Sequence, residues 1–179
     1  MAKKICVIKP SLRLNSNSDQ LADAFIQGAK ESGNSVEEIS LKDKNIAFCK
    51  GCLACLKLGE CVIKDDANSI TEHIKQADVI VWATPIYYEM SGQMKVMIDR
   101  ANSLYTSNYQ FRDVYLLSTA AENEEGVDKR AINGLKGWVN CYPKAHFVGS
   151  VFAGGVDIPN SIKDHPALKK AYEMGRAIQ

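Results

Sequence analysis

The stretch DVIVWATPIYYEMSGQMKVMIDR, residues 78–100, holds most of the information about the fold. Asp78 to Thr84 is almost continuously apolar, the pattern of a strand buried on both faces. Pro85 is read as its stop. Ile86, Tyr87 and Tyr88 then put apolar and aromatic surface in a turn, and Ser91 and Gly92 open a helix. That helix carries a 3.6-residue stripe of Met94, Met97, Ile98, Ala101 and Leu104, which reads as ordinary core. Two adjacent tyrosines in a turn cannot both be core.

Outward from this unit the same grammar repeats. Apolar runs at Ile5–Ile8, Val114–Leu117 and Phe147–Phe152 read as further strands. A weaker, more polar run at Val36–Leu41 reads as an edge strand. Helical stripes fall between and after them, at Leu21, Ala24, Phe25, Gly28 and Ala29, then Ile132, Leu135, Trp138 and Val139. A last one runs through Leu168, Ala171, Tyr172, Gly175 and Ile178. Such alternation predicts an α/β fold with a parallel sheet covered by helices on both sides, joined by right-handed crossovers. Open sheets of this kind bind ligands at the carboxyl ends of their strands, where strand order reverses.

The chain has 179 residues, suited to a single domain. With 24% charged residues and a net charge of +1, nothing favours nucleic acid as a partner. The first residues contain too short an apolar run for a signal peptide, and no window is long enough for a membrane helix. A cytoplasmic protein with reduced or metal-bound cysteines is therefore expected.

The first strand's exit, PSLRLNSNSDQLADAF (residues 10–25), runs from a polar turn into a helix that Ser16 or Ser18 can cap. A helix N-terminus attracts phosphate. Ser11, Asn15, Ser16, Asn17 and Ser18 add neutral donors there, and Arg13 a fixed charge. A merely capped helix with a polar turn has the same look. The pattern is not a Walker loop, and with no glycine before Gly28 it is not a dinucleotide-binding glycine loop either.

From Lys42 to about Asp66 neither strand nor long helix is evident, which in a compact domain points to function. Within it FCKGCLACLKLGEC (residues 48–61) gathers Cys49, Cys52, Cys55 and Cys61. Cys6 and Cys141 read as core thiols. His73, His146 and His165 form no catalytic arrangement. Asp65 and Asp66 are expected to open a helix over 67–76, and Asp99 and Arg100 to pair within or between subunits.

Taken in order, Ser-x-Arg-x-Asn-Ser-Asn-Ser after strand one, the cysteine loop ending CVIKDD, and TPIYYEMSGQMKVMIDR resemble the flavodoxin-like NAD(P)H-dependent FMN reductases. Within that group the likeness is strongest to the iron–sulfur flavoproteins, and it spans nearly the whole chain. The resemblance implies a five-stranded parallel sheet in order 2-1-3-4-5, with residues 41–66 as a cysteine-rich insertion, assembled as a homodimer or homotetramer. It places the FMN phosphate on Ser11, Arg13, Asn15, Asn17 and Ser18. The isoalloxazine would lie against Pro85, Ile86, Tyr87 and Tyr88, with Gly92 letting the backbone approach. The loop after strand four, from Ser118, Thr119 and Ala120 to about Asn123, would add a third wall. Lys9-Pro10 departs from the small residue that the family often carries before the serine.

The activity implied is hydride transfer from NAD(P)H to FMN, with electrons leaving to a flavin, a quinone or another small acceptor. No catalytic side chain is required, because the flavin carries the chemistry. Compact spacing of Cys49, Cys52, Cys55 and Cys61 suits a [4Fe–4S] cluster as metal ligands. Gly51 and Gly59 let the backbone bend around them, and Lys50, Lys57 and Lys64 would offset thiolate charge. Zinc, a thiol–disulfide relay and free thiols remain alternatives. So does an electron carrier that serves a redox protein without a nicotinamide site, or a zinc-stabilised interaction domain.

Overall fold

A computed structural model describes residues 2–179. Five parallel strands form one sheet: β1 (Lys4–Lys9), β2 (Ser35–Ser40), β3 (Val79–Tyr87), β5 (Asp113–Thr119) and β6 (His146–Ala153). Their order is β2-β1-β3-β5-β6, the flavodoxin-like arrangement expected. A short β4 (Glu89–Met90) folds back antiparallel on the end of β3.

Strand alternation sends side chains to two cores. Ile5 and Val7 of β1 and Val79, Val81 and Ala83 of β3 pack against α1 (Asn17–Glu31) and α6 (Pro166–Arg176). Cys6, Ile8, Ile80 and Trp82 face the other layer, which holds α3 (Asp66–Gln76), α4 (Gly92–Arg100) and α5 (Lys129–Val139). Burial on both faces is why β1 and β3 read as continuous apolar runs. β2 is mostly exposed, as an edge strand should be.

Several expectations need correction. Pro85 does not stop β3, which runs on to Tyr87 and pairs Pro85 with Thr119 of β5. Pairing with β1 ends at Trp82, so Pro85 lies on a stretch of β3 that no longer has β1 beside it, the edge setting in which a strand tolerates proline. Tyr88 forms the tip of the β3–β4 hairpin at a left-handed φ of 62°, a costly conformation for a bulky residue. Cys141 is not a core thiol: it is exposed, and its Sγ–H reaches the Gly137 carbonyl at 3.3 Å. Arg100 pairs with Asp65, while Asp99 pairs with Lys95 on its own helix. The cysteine segment contains a single helical turn, α2 (Cys55–Leu58). Among the described residues no helix is long and apolar enough to cross a membrane.

Candidate active site

The carboxyl ends of β1, β3, β5 and β6 open onto one cleft of about 800 Å³, a size typical of small-molecule sites. Its first wall comes from the β1–α1 turn. Ser16 caps α1, its Oγ accepting the Asp19 N–H at 3.4 Å. No acceptor among the described residues takes the N–H groups of Asn17 and Ser18, the first two of the helix. Ser11 and Arg13 line the same wall. Arg13 donates to the Asp157 carbonyl and has no carboxylate at ion-pair distance among the described residues.

The second wall is the β3–α4 connection. Thr84 Oγ1 accepts the Ser91 N–H at 3.0 Å, and Ser91 in turn caps α4 by accepting the Met94 N–H. This polar clasp holds the turn, so Pro85, Ile86, Tyr87, Tyr88 and Gly92 all face the cleft. A β-carbon on Gly92 would meet nothing within 4 Å, which leaves backbone open to a ligand. Tyr87 and Tyr88 are 62% and 90% exposed, aromatic surface that the core does not use. Thr119 and Ala120 supply the third wall.

Three predicted residues lie outside the lining. Asn15 is a turn residue at φ 52° whose carbonyl accepts the Asn160 N–H. Ser18 is buried, its hydroxyl 2.9 Å from that of Ser16. Ser118 is fully buried, with a hydroxyl that finds no partner. Asn17 is present but differently employed. Its amide donates to the Ile158 carbonyl (2.9 Å) and Ser161 hydroxyl (3.1 Å), and its Oδ1 accepts the Ile162 N–H. The side chain thus anchors the loop after β6, leaving only the backbone N–H for a ligand.

That loop was missed from sequence, although Val156 and Asp157 line the cleft. So were Leu12, Gln93, Val127 and Arg130. For the loop a signal existed: the general rule that sites form at strand carboxyl ends applies equally to β6.

The donor set suits an anionic group at the α1 end and a flat apolar group beside Pro85–Tyr88. FMN has both parts, so the residues present fit it. Beneath the first wall, burial pushes the Asp19 carboxyl up to about 6, against the opposing pull of Lys42 and Lys9.

The cysteine loop is arranged otherwise. Cys49 and Cys52 are exposed, Cys55 and Cys61 half-buried, and none of them is in a disulfide. Among the described residues no three His, Cys, Asp or Glu side chains are placed to share a metal ion. Burial and then the neighbouring Cys61 push the Cys55 thiol up. The loop's two ends meet at a buried Arg100–Asp65 pair. Burial works to raise the Asp65 carboxyl, but Arg100 and two backbone N–H groups hold it below the usual carboxylate range.

A flavodoxin-like sheet with a cleft at its switch point is the setting in which flavodoxin holds FMN. Residues 3–157 match the NADPH-dependent FMN reductase family, and the chain belongs to it. It is similar to an iron–sulfur flavoprotein of Archaeoglobus fulgidus, 31% identical over 94% of this chain and 75% of that one. It is 30% identical, over 96% of both chains, to a Bacillus subtilis protein named as an NAD(P)H-dependent FMN-containing oxidoreductase. The fold is shared with an NAD(P)H:quinone oxidoreductase from Methanothermobacter marburgensis, at a TM-score of 0.77 and 17% identity over 98% and 96% of the two chains. The protein is an NAD(P)H-dependent flavin reductase with FMN as its cofactor.

Proposed function

We propose that the cleft holds FMN, that NAD(P)H reduces it there, and that the electrons pass to a small acceptor such as a quinone or a free flavin. The observation that carries this reading is the pairing of an open helix N-terminus with an apolar, glycine-floored wall in one cleft. FMN when bound supplies the redox chemistry, taking up a hydride and releasing electrons singly or in pairs.

The chain's own residues bind and orient. The Asn17 N–H, the Ser11 hydroxyl and Arg13 receive the phosphate. Pro85, Ile86 and Tyr87 form the apolar backing, and Thr119 and Ala120 close the opposite side. Tyr88 stands at the mouth. No side chain is assigned a covalent or proton-transfer role. Leu12, Leu14, Tyr87, Tyr88 and Ile158 leave an exposed apolar rim, which supports closure of the site by a second copy in a homodimer or homotetramer. All six cysteines are unpaired, in keeping with a reducing compartment such as the cytoplasm.

The test is titration with FMN, then anaerobic addition of NADPH or NADH. Uptake of one FMN per chain, weaker uptake of riboflavin, and rapid bleaching by a nicotinamide are expected. A protein that takes up no FMN overturns the reading. A second reading, an electron carrier using a cluster on Cys49, Cys52, Cys55 and Cys61, is favoured by the name of the Archaeoglobus relative. It predicts iron and sulfide in anaerobically purified protein and slow bleaching by either nicotinamide.

A further inference from the structure

The cysteine loop is exposed, but the neck that carries it is not. No side chain from residue 48 to residue 62 is buried, and Phe48, Leu53 and Leu58 are more than half exposed. At the neck, Arg100 and Asp65 side chains are 0% and 3% exposed. They form a two-pronged pair, Nη1 to Oδ2 at 2.6 Å and Nη2 to Oδ1 at 2.9 Å.

The same two groups hold both ends of the loop. Arg100 donates to the Ala47 carbonyl at 2.7 Å and to the Ile63 carbonyl at 3.1 Å. Asp65 accepts the Ala47 N–H at 2.9 Å and the Ala67 N–H at 3.0 Å. One further rung closes the neck, with Asp66 accepting the Asn45 N–H and donating its own N–H to the Asn45 carbonyl.

A loop without a core of its own is placed only by its ends. An ion pair buried this deeply adds little net stability over an apolar pair, but it fixes geometry through its hydrogen bonds. The position of Arg100 matters too. It ends α4, and Gly92 at the other end of that helix lines the cleft. Eight residues of helix set the two about 12 Å apart along one rigid rod. One guanidinium donor, Nε–H, is buried without an acceptor, and Cys61 borders the same group. The neck therefore keeps hydrogen-bonding capacity beside the last sulfur of the loop.

We propose that Arg100 and Asp65 are a positioning pair: they clamp both ends of the cysteine loop onto α4 and so hold its sulfurs at a set distance from the cleft. The flavin reading supplies only what the loop is positioned against; the clamp itself is independent of it.

The experiment is limited trypsin digestion of the FMN-loaded protein, following cleavage at Lys50 and Lys57, with melting temperature and flavin content measured in parallel. Arg100→Met with Asp65→Leu removes both charges and fills the space, which usually preserves a fold. It is expected to retain flavin and melting temperature while the loop is cut about tenfold faster or more, as local opening without global unfolding requires. Arg100→Lys keeps the charge but not the planar fork, and is expected to speed loop cleavage in the same direction. A folded double variant cut at the wild-type rate overturns the clamp. So does full protection by lysine. Should the wild type take up no FMN, the flavin reading fails, while the same comparison on the protein alone still decides the clamp.

Discussion

Asp19 shows how one residue can carry a pH signature. It lies in the first turn of α1, with Oδ1 buried and unpartnered and Lys42 4.0 Å from Oδ2. Burial raises its carboxyl from the ordinary 3.8 to about 6. The folded chain then holds this proton more tightly than the unfolded chain. Stability from this group is greatest at low pH, falls as pH rises from about 4 to about 6, and is level above. Asp19→Asn is expected to remove that fall and to add roughly 1–2 kcal/mol at pH 8. Urea unfolding of both proteins at pH 4.5 and pH 8 checks it. An unchanged slope in the variant would assign the effect to another group.

Between elements, the contact of α1 with α6 depends on two glycines. A β-carbon on Gly28 would fall 2.0 Å from the Tyr172 carbonyl oxygen, and one on Gly175 would fall 2.1 Å from that of Phe25. Both neighbours are backbone and cannot step aside, so either substitution forces the helices apart. Gly28→Ala is expected to cost about 1–3 kcal/mol, the range of overpacked cores. Gly137 in α5 is the control, because a β-carbon there meets nothing within 4 Å. Gly137→Ala is expected to gain about 0.5–1 kcal/mol from helix propensity alone. Thermal melts of the two variants should move in opposite directions.

For the whole molecule, a ligand that spans walls from β1, β3, β5 and β6 must stabilise the sheet it bridges. At one hundred times its dissociation constant, a ligand adds about 2.7 kcal/mol. In a domain of this size each kcal/mol raises the melting temperature by about 2–4 °C. Saturating FMN is thus expected to raise it by about 5–11 °C. Riboflavin, which lacks the phosphate, should raise it less. Equal shifts would mean that the α1 end does not receive the phosphate.

The amino-acid pattern alone determined the five parallel strands, the helices and the edge at which the cleft opens. Burial on one face or two leaves a periodicity of 2, of 3.6 or none, and that survives in a single sequence. It also pointed to the turns after β1 and β3 as walls of the cleft, but not to the loop after β6 that lines it with Val156 and Asp157. What Asn17 does was decided by a loop roughly 140 residues away, which claims the amide that a phosphate was expected to use. The partner of Arg100 was decided by the packing of α4 against the start of α3, not by its neighbour Asp99. Gly28 and Gly175 read as part of apolar stripes, but only the crossing of two helices shows that their value is the absence of a side chain. The cysteine spacing states which donors are near in the chain, and only the path of the loop decides whether they meet. Local pattern records which face is buried; partners distant in sequence are chosen by packing, which no local pattern encodes.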